Sequence, residues 1–521
     1  MYTEQEVLKL IDGAAQNCID LLQQNRNPEA EVILKQMLKI VPDHEDSMQL
    51  LGLTRLRQGK FVEAVETFTA LTQRVCKHQA DAYNNLGLCY GSMKKFDQAV
   101  DALQTALKME PNNADFMMNL GMVYRQKDQP EWAVHWFTKA ASIDSPNRKI
   151  AWFNLGSIQG DLQQLDLAEQ SFRNSLELDP KFPAAHVDLA YALHLGGRWE
   201  EGFKHYEYRF KQFPRMDVWN EHFGRDKVWD GKESLAGEHL AVWCEQGVGD
   251  AIMFSRYLPR IRGSRAVSPD TQITVVAHPD TASFFQHHKE EFDIQYVSCV
   301  KPYHYHKHCS IVSLPHLLGL GAIPPTPLNV DPYDWVQNRQ DKNALKVGVC
   351  WAGSPAHPHD RARSVHITRF EPLTQIPGVR LISLQREHVP RAYHDDPRPV
   401  NLSEGWEHSK IENIGDRDEW GGLTSWPDLS GLAKWIKGLD LVISVDTAVL
   451  HLAGTLGVQT WGLLPYNPDW RWELTKEKHI SAPDNTVWYP SVLLCRQPSK
   501  GDWDSVFQEI TTELRLMNKS W

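Results

Sequence analysis

The sequence has few cysteines, no surplus of positive charge and no long uninterrupted apolar run. Its eight cysteines form no Cys-x-x-Cys pair, which predicts free thiols in a reducing compartment. Acidic residues outnumber basic ones by 66 to 55, a net charge of −11, so broad binding to nucleic acid or to an anionic membrane is not expected. The longest apolar tract, Leu441 to Leu464, is interrupted by Asp446, His451 and glycines and does not predict a membrane span.

The first residues contain no basic segment that leads into an apolar stretch, so no signal peptide is predicted. We therefore expect a cytoplasmic protein. A chain of 521 residues with 42% hydrophobic residues predicts three or four globular domains.

A period of 34 to 35 residues runs through the first two hundred positions. The pair Leu-Gly recurs at residues 51–52, 86–87, 120–121 and 155–156. In step with it come small residues, each followed four positions later by a large apolar one, such as Ala64 with Phe68 and Ala133 with Phe137. The small residues let two helices approach closely, and the large residue four positions later fills the space beside them.

These positions resemble the tetratricopeptide repeat, and about six repeats are predicted within residues 1–212. Stacked repeats form an all-α solenoid whose concave face usually holds a peptide or partner protein. Alternatively, the repeats would serve as a rigid spacer or as the surface of a homo-oligomer.

After a Trp- and Gly-containing linker at residues 213–237, short apolar runs alternate with helical patterns, which predicts parallel α/β units. Two lobes are predicted, at residues 238–335 and 345–521. A cleft between them would lie at the carboxyl ends of the strands. The predicted strands are His239–Cys244, Gln272–Ala277, Asp293–Ser298, Cys309–Leu314, Lys346–Trp351, Val379–Leu384, Leu441–Val445, Thr460–Leu464 and Val492–Cys495.

The loop Glu245 to Asp250 follows the first strand and opens a helix predicted over Ala251–Ile261. Its glycines, Gly247 and Gly249, permit close backbone approach, and the turn would direct Asp250 into the cleft. Equally, Asp250 would be an ordinary N-terminal cap of that helix.

The loop after the first strand of the second lobe contains Ser354, Arg361, Arg363 and Ser364. Two arginines with neutral hydroxyl donors are suited to holding a diphosphate. A solvated charged loop is the alternative interpretation.

A third loop, Asp446 to Val449, joins a buried strand to a helix that carries His451 one turn later. The free amides and the dipole of a helix N-terminus favour an anion. Asp446 as a simple cap and His451 as a buried structural histidine are the alternatives. Together, the second and third loops predict a phosphate-bearing ligand.

Three stretches, residues 250–259, 446–454 and 468–472, resemble microbial tetratricopeptide-repeat proteins with a C-terminal glycosyltransferase domain similar to the family 9 heptosyltransferases. The resemblance implies a GT-B fold of two Rossmann-like lobes, the first for the acceptor and the second for a nucleotide-sugar, with no obligatory metal or other cofactor. A solenoid joined to such an enzyme also resembles the protein O-GlcNAc transferases, which implies a protein acceptor.

The resemblance also assigns roles. Asp250 matches the catalytic base of the heptosyltransferases, and their basic residue after the first strand of the second lobe corresponds to Arg361 or Arg363. Their donor motif, Asp-Thr/Ser-Gly-x-x-His, is matched by Asp446, Thr447 and His451, with Ala448 in place of glycine. These assignments predict an inverting glycosyltransferase whose leaving diphosphate is held by the amides of residues 447–449 and by Arg361 and Arg363.

Further residues are expected near the cleft from their positions at strand ends, although tryptophans at this density are more often core. They are Gln246, Gly247, Gly249, Trp351, Gln385, Tyr466, Trp470 and Arg471. The His-rich tract at residues 303–309 and the triplet Asp416-Arg417-Asp418 are not interpreted as metal sites. The competing hypothesis is a non-catalytic scaffold that binds protein partners.

Overall fold

The structure, a computed structural model, describes residues 4–73, 76–302, 304–332, 344–355, 357, 359–385, 391–393, 396–400, 402, 410–412, 428–474 and 486–519. The chain divides into two compact units, Met1–Leu189 and Ala190–Trp521. Part of the predicted passage between the lobes, and the Asp416–Asp418 triplet, lie outside the described residues.

The first unit is built from antiparallel helix pairs joined by short turns. The turn inside each pair, from the pair at residues 4–40 to the pair at residues 148–178, contains one residue with a left-handed backbone, including Asn25, Lys94 and Gln163 at φ 59°, 59° and 58°. This residue ends one helix and reverses the chain into the next. The helices are α1 (Glu4–Gln23), α2 (Asn27–Ile40), α3 (Glu45–Arg57), α4 (Phe61–Thr72), α5 (Gln79–Ser92), α6 (Phe96–Met109), α7 (Ala114–Gln126), α8 (Pro130–Ser142), α9 (Arg148–Asp161), α10 (Leu165–Leu178) and the start of α11 (Pro183–Leu195).

The repeated glycine lets the two helices of a pair approach closely. A β-carbon on Gly121 would lie 2.7 Å from Cε1 of Phe137, and one on Gly156 would lie 2.7 Å from Cε1 of Phe172. Both phenylalanines are buried, with 0% and 3% of their surface exposed. The small and large positions of the period therefore meet, as the repeat pattern predicts.

The second unit begins inside the predicted solenoid. Residues 190–212, which the repeat pattern assigns to the helical domain, lie in the second unit because their side chains pair within it. The Trp199 indole donates to Glu473 at 2.8 Å, and Arg209 is ion-paired with Glu245 at 2.5 Å. The helices here are α12 (Trp199–Tyr206), α13 (Arg209–Gln212) and α14 (Pro214–Phe223).

The first lobe, residues 238–332, contains a four-stranded parallel sheet in the order β3-β2-β1-β4. Its strands are β1 (His239–Trp243), β2 (Gln272–Val276), β3 (Tyr296–Ser298) and β4 (Lys307–Ser310). Its helices are α15 (Val248–Phe254), α16 (Pro279–His287) and α17 (Leu314–Leu317).

The second lobe, residues 344–519, contains a five-stranded parallel sheet in the order β11-β10-β9-β5-β6. A hairpin of β7 (Arg391–Tyr393) and β8 (Asp396–Val400) was not predicted. The remaining strands are β5 (Leu345–Cys350), β6 (Val379–Ser383), β9 (Leu441–Val445), β10 (Thr460–Leu464) and β11 (Val492–Arg496). The helices are α18 (Asp360–Arg363), α19 (Glu371–Thr374), α20 (Leu429–Lys437), α21 (Ala448–Thr455) and α22 (Trp503–Lys519).

Three predicted elements differ in extent by more than one residue. The strand predicted from Asp293 begins only at Tyr296, because Asp293 has a left-handed backbone with φ 50°. The strand predicted over Cys309–Leu314 ends at Ser310, whose hydroxyl caps a 3-10 turn by accepting from the amide of Val312 at 3.1 Å. The helix predicted over Ala251–Ile261 becomes a 3-10 helix that contains Pro259, which has no amide hydrogen.

Within the described residues, the helices are either too short or too polar to cross a membrane. In the same residues, no group of three or more histidine, cysteine or acidic side chains is arranged to hold a metal ion. His308, in the His-rich tract, has both ring nitrogens engaged, with the Trp243 indole at 3.2 Å and the Gly224 carbonyl at 2.9 Å.

Candidate functional site

The interlobe site comprises residues 246–250 of the first lobe with Arg363, residues 446–451 and residues 469–472 of the second. It lies at the carboxyl ends of β1, β9 and β10 because each of its main loops directly follows one of these parallel strands. Ligands of open α/β sheets bind at this edge.

The first-lobe loop turns sharply before α15. Gln246 has a left-handed backbone with φ 62°, which is unusual for a residue with a side chain. Asp250 Oδ2 accepts from the amide of Gly247 at 3.1 Å, so Asp250 does cap the start of α15. Its other oxygen, Oδ1, is ion-paired with Nη2 of Arg471.

Arg471 ties the two lobes together at this site. Its Nη1 lies 2.5 Å from Oδ1 of Asp469, and its Nη2 also donates to Oε1 of Gln246 at 3.1 Å. The guanidinium packs 4.2 Å from the ring centroid of Trp470. Arg471 is therefore a buried cation with carboxylates on two sides.

The loop after β9 leads into the N-terminus of α21. Thr447 is the N-cap in an extended conformation, and its side chain makes no capping hydrogen bond. The first amides of any helix have no acceptor within that helix, and here the N-cap side chain does not supply one. Gly249 of the first lobe lies against this turn, because a β-carbon there would be 3.6 Å from Cα of Ala448. Asp250 and the N-terminus of α21 are thus neighbours.

His451 is enclosed beside this turn. Its Nδ1 is 2.9 Å from the Tyr489 hydroxyl, and its ring stacks on Trp472 with centroids 5.3 Å apart. Its Nε2 is 3.8 Å from Oδ1 of Asp446. Burial, and then the positive charge of Arg471, lowers the pKa of His451 well below its ordinary value, so the ring is neutral near pH 7.

The site contains two buried carboxylates, Asp446 and Asp469, whose pKa values are shifted in opposite directions. Burial, and then the negative charge of Asp469, raises the pKa of Asp446. Burial alone would also raise the pKa of Asp469, but Arg471 outweighs it and lowers that pKa. Asp446 is therefore the group of this pair that more readily keeps a proton.

Of the two arginines predicted to hold a diphosphate, Arg363 lies at the site. Its Nη1 donates to the carbonyl of Asp446 at 2.8 Å, and its Nε lies 3.3 Å from Oδ1 of Asp360. Arg361 and Ser354 are exposed. Ser364 is buried and structural, since its hydroxyl donates to Asp360 at 2.9 Å and accepts from the amide of Gly353 at 3.0 Å.

Three residues expected near the cleft are buried for structural reasons. Trp351 belongs to the second-lobe core and is 0% exposed. Gln385 holds the turn after β5, accepting from the amide of Ala352 at 3.0 Å and donating to its carbonyl at 3.1 Å. Trp470 packs against Tyr206 and His194, with ring centroids 5.2 and 4.6 Å away. Tyr466 is half-buried, and its amide donates to Gln497 at 3.1 Å.

Sequence reasoning did not single out Asp469 or Tyr489 as site residues, and it considered Trp472 only as a candidate for the cleft rim after the strand Thr460–Leu464. Asp469 and Trp472 lie in the stretch 468–472 that carries the resemblance, which is the signal that could have found them. Tyr489 follows residues 475–485, which lie outside the described chain, and no pattern in the sequence connects it with His451.

The matches to a family model lie in the repeats, whereas one relative is similar over nearly the whole chain. The tetratricopeptide-repeat family matches residues 80–113, 102–135 and 150–182. The protein FlbA of Caulobacter vibrioides is 24% identical over 513 residues, which are 92% of this chain and 80% of that protein.

A barley protein, SPINDLY of Hordeum vulgare, is named as a probable UDP-N-acetylglucosamine–peptide N-acetylglucosaminyltransferase. It is 31% identical over 156 residues, and this chain spans only 16% of its length. A thermophilic tetratricopeptide-repeat protein of Thermus thermophilus has a solved structure that is 21% identical. It covers 35% of this chain and 98% of its own, with a TM-score of 0.32. The family matches and the helical first unit confirm that the chain carries tetratricopeptide repeats at residues 80–135 and 150–182.

Proposed function

We propose that the α/β unit is an inverting glycosyltransferase that moves a sugar from a nucleotide-sugar to an acceptor hydroxyl. The observation that carries the proposal is the position of Asp250: the residue before it, Gly249, lies against Ala448 at the N-terminus of α21, where the side chain of Thr447 makes no capping hydrogen bond. A base thus stands next to an anion-binding turn. The resemblance of residues 250–259 and 446–454 to family 9 transferases supports the same assignment.

In the proposed reaction, Asp250 accepts the proton of the acceptor hydroxyl while that oxygen bonds to the anomeric carbon. The bond from this carbon to the diphosphate oxygen breaks, the nucleoside diphosphate leaves, and the configuration inverts. The amides of Ala448 and Val449 and the guanidinium of Arg363 would stabilise the departing charge. Asp446 and the neutral His451 would orient hydroxyls of the donor. Because the protein supplies these positive groups, we propose that no metal is required.

We further propose that the acceptor is a protein segment held by the tetratricopeptide repeats, since grooves of such repeats commonly bind peptides. The name of the barley relative is in keeping with a protein acceptor, although its similarity spans only 29% of this chain. The alternative is a non-catalytic scaffold, which the pairing of Asp250 with Arg471 favours, because an occupied base cannot accept a proton.

Thermal-shift screening with UDP-, GDP-, ADP- and CMP-sugars tests the proposal. A donor that binds only the folded chain should raise the melting temperature. Donor turnover by that nucleotide-sugar should then fall by roughly 10²–10⁴-fold in Asp250→Asn, which removes the base. The exposed residue Glu290 supplies a control, and Glu290→Gln should turn over the donor like the wild type. If no donor raises the melting temperature, the scaffold is supported. If Asp250→Asn turns over the donor like the wild type, Asp250 is not the base.

A further inference from the structure

Arg471 contacts two side chains of the first-lobe loop, the amide of Gln246 and the carboxylate of Asp250. Its Nη2 contacts Asp250 and Gln246, while its Nη1 and its backbone amide contact Oδ1 of Asp469, at 2.5 and 3.1 Å. Asp469 and Arg471 are on the same loop, whereas Asp250 and Gln246 belong to the other lobe. Arg471 can therefore give up its first-lobe partners and still keep Asp469.

The pair with Arg471 is unfavourable for a base. Nη2 of Arg471 occupies Oδ1 of Asp250, so that oxygen is not open to an acceptor hydroxyl. Asp250 is also held by the amide of Gly247 at 3.1 Å. For Asp250 to take a proton from an acceptor, its contact with Arg471 must open first.

An anion in the site would open this contact. The guanidinium fork matches phosphate oxygens in two-point hydrogen bonds, and a diphosphate carries more negative charge than one carboxylate. Such an anion would lie next to Asp250, since Gly249 contacts both Ala448 and His451 at the start of α21. Arg471 contacts Asp250, and its side chain retains 10% exposure.

We infer that Arg471 binds the diphosphate of the donor, and that without a donor Asp250 takes the place of that diphosphate as the counter-ion of Arg471. When the guanidinium moves from Asp250 to the diphosphate, the carboxylate becomes available as the base. The inference rests on the proposed function, and it makes binding of the donor the step that activates Asp250. The acceptor hydroxyl would then lose its proton only after the donor is in place. No bond is made or broken in this exchange; one counter-ion of Arg471 replaces another.

A double-mutant cycle with inorganic pyrophosphate as the probe tests this exchange. Calorimetric titration would compare the wild type, Asp250→Asn, Arg471→Gln and the double variant. Removing one negative charge strengthens anion binding in any background, so the cycle isolates the part that depends on Arg471. We expect Asp250→Asn to tighten pyrophosphate binding about tenfold when Arg471 is present and less than about twofold when it is replaced.

Arg471 is buried, so Arg471→Lys provides a second variant that keeps the charge and loses the fork. It should bind pyrophosphate more weakly than the wild type, with a melting curve showing that it is folded. Equal gains from Asp250→Asn in both backgrounds, wild-type binding by Arg471→Lys, or no pyrophosphate binding at all would overturn the inference. Sugar transfer is measured separately: a positive cycle without transfer refutes the proposed function alone, and transfer with a flat cycle refutes only the role of Arg471.

Discussion

Gly249 leaves no room for a side chain beside His451: a β-carbon on Gly249 would lie 2.9 Å from Cδ2 of the histidine. The ring cannot move away easily, because Trp472 stacks on it and the hydroxyl of Tyr489 is hydrogen-bonded with its Nδ1. The close contact between the loops of the two lobes therefore depends on the absence of one methyl group.

Gly249→Ala should weaken binding of pyrophosphate or a nucleotide-sugar without unfolding the chain. The added methyl group must displace His451 or separate the loops, so the groups that hold the anion would no longer be in place. In the proposed transferase, turnover should fall too, because misplacement by about 1 Å can cost on the order of 10² in rate. Gly247→Ala is the matched control, because the nearest atom to a β-carbon there is Oδ2 of Asp250 at 3.6 Å, an ordinary contact. Equal binding by both variants would show that the Gly249 contact is unimportant.

Two glycines of α9 should respond in opposite ways to alanine. A β-carbon on Gly156 would lie 2.7 Å from Phe172, so Gly156→Ala should lower the free energy of unfolding by about 1–3 kcal/mol through overpacking. Gly160 has no atom within 4 Å of that position, so Gly160→Ala should raise it by up to about 1 kcal/mol. Urea denaturation followed by circular dichroism measures both. A neutral Gly156→Ala would mean that the helix pair opens at little cost.

Replacing Arg209 should strongly destabilise the second unit. Arg209 is 0% exposed and joins Glu207 and Glu245, and the hydroxyl of Ser313 accepts from it at 2.8 Å. Arg209→Met would leave Glu245 buried without its cation, a change that costs about 3–5 kcal/mol.

The double variant Arg209→Met/Glu245→Leu should recover most of that loss, because no buried charge remains unpaired. Arg225→Met, at an exposed arginine paired with Asp217 and Glu221, is the surface control and should change the unfolding midpoint little. A loss in Arg209→Met no larger than in Arg225→Met would refute a stabilising role for the buried cluster.

His194 should contribute to acid unfolding. Burial, and then the charge of Arg471, lowers the pKa of His194 from 6.5 to about 3. Since the folded pKa lies below the unfolded one, the neutral ring's contribution is complete above pH 6.5 and is lost as the pH falls toward 3.

His194→Leu should therefore reduce the slope of unfolding free energy against pH between these values, by at most about 1.4 kcal/mol per pH unit. Phe203, whose ring centroid is 4.6 Å from that of His194, supplies a control without a titrating group. Phe203→Leu should lower stability and leave the slope unchanged. If His194→Leu also leaves the slope unchanged, protonation of the His194 ring does not contribute to acid unfolding.

Local patterns predicted the elements well where neighbouring residues decide the structure. The strands Leu441–Val445 and Thr460–Leu464 occur as predicted because each is a mostly apolar run whose residues are buried on both faces of a parallel sheet. The helix pairs follow from small and large residues that recur with the same period. The start of β3 was misplaced because the left-handed turn at Asp293 leaves no periodic signal.

The candidate site was predictable only in part. Asp250 and the turn at Asp446 follow strands, and chain order alone puts each at the carboxyl-end edge of its own sheet. The partner of Asp250 is 221 positions away, and nothing local in the sequence pairs it with Arg471. Trp351 also follows a strand, yet it enters the core, because the direction of a side chain just past a strand depends on the turn that follows.

The buried cluster around Arg209 also determines where the chain can be divided. A fragment that starts at residue 213, where the repeat pattern ends, would lose the cation of Glu245 and the indole that donates to Glu473. It would also uncover Trp470, which packs on Tyr206. Autonomous production of the α/β half therefore requires the last helices of the apparent solenoid, beginning with α11 at Pro183, to be kept as part of it.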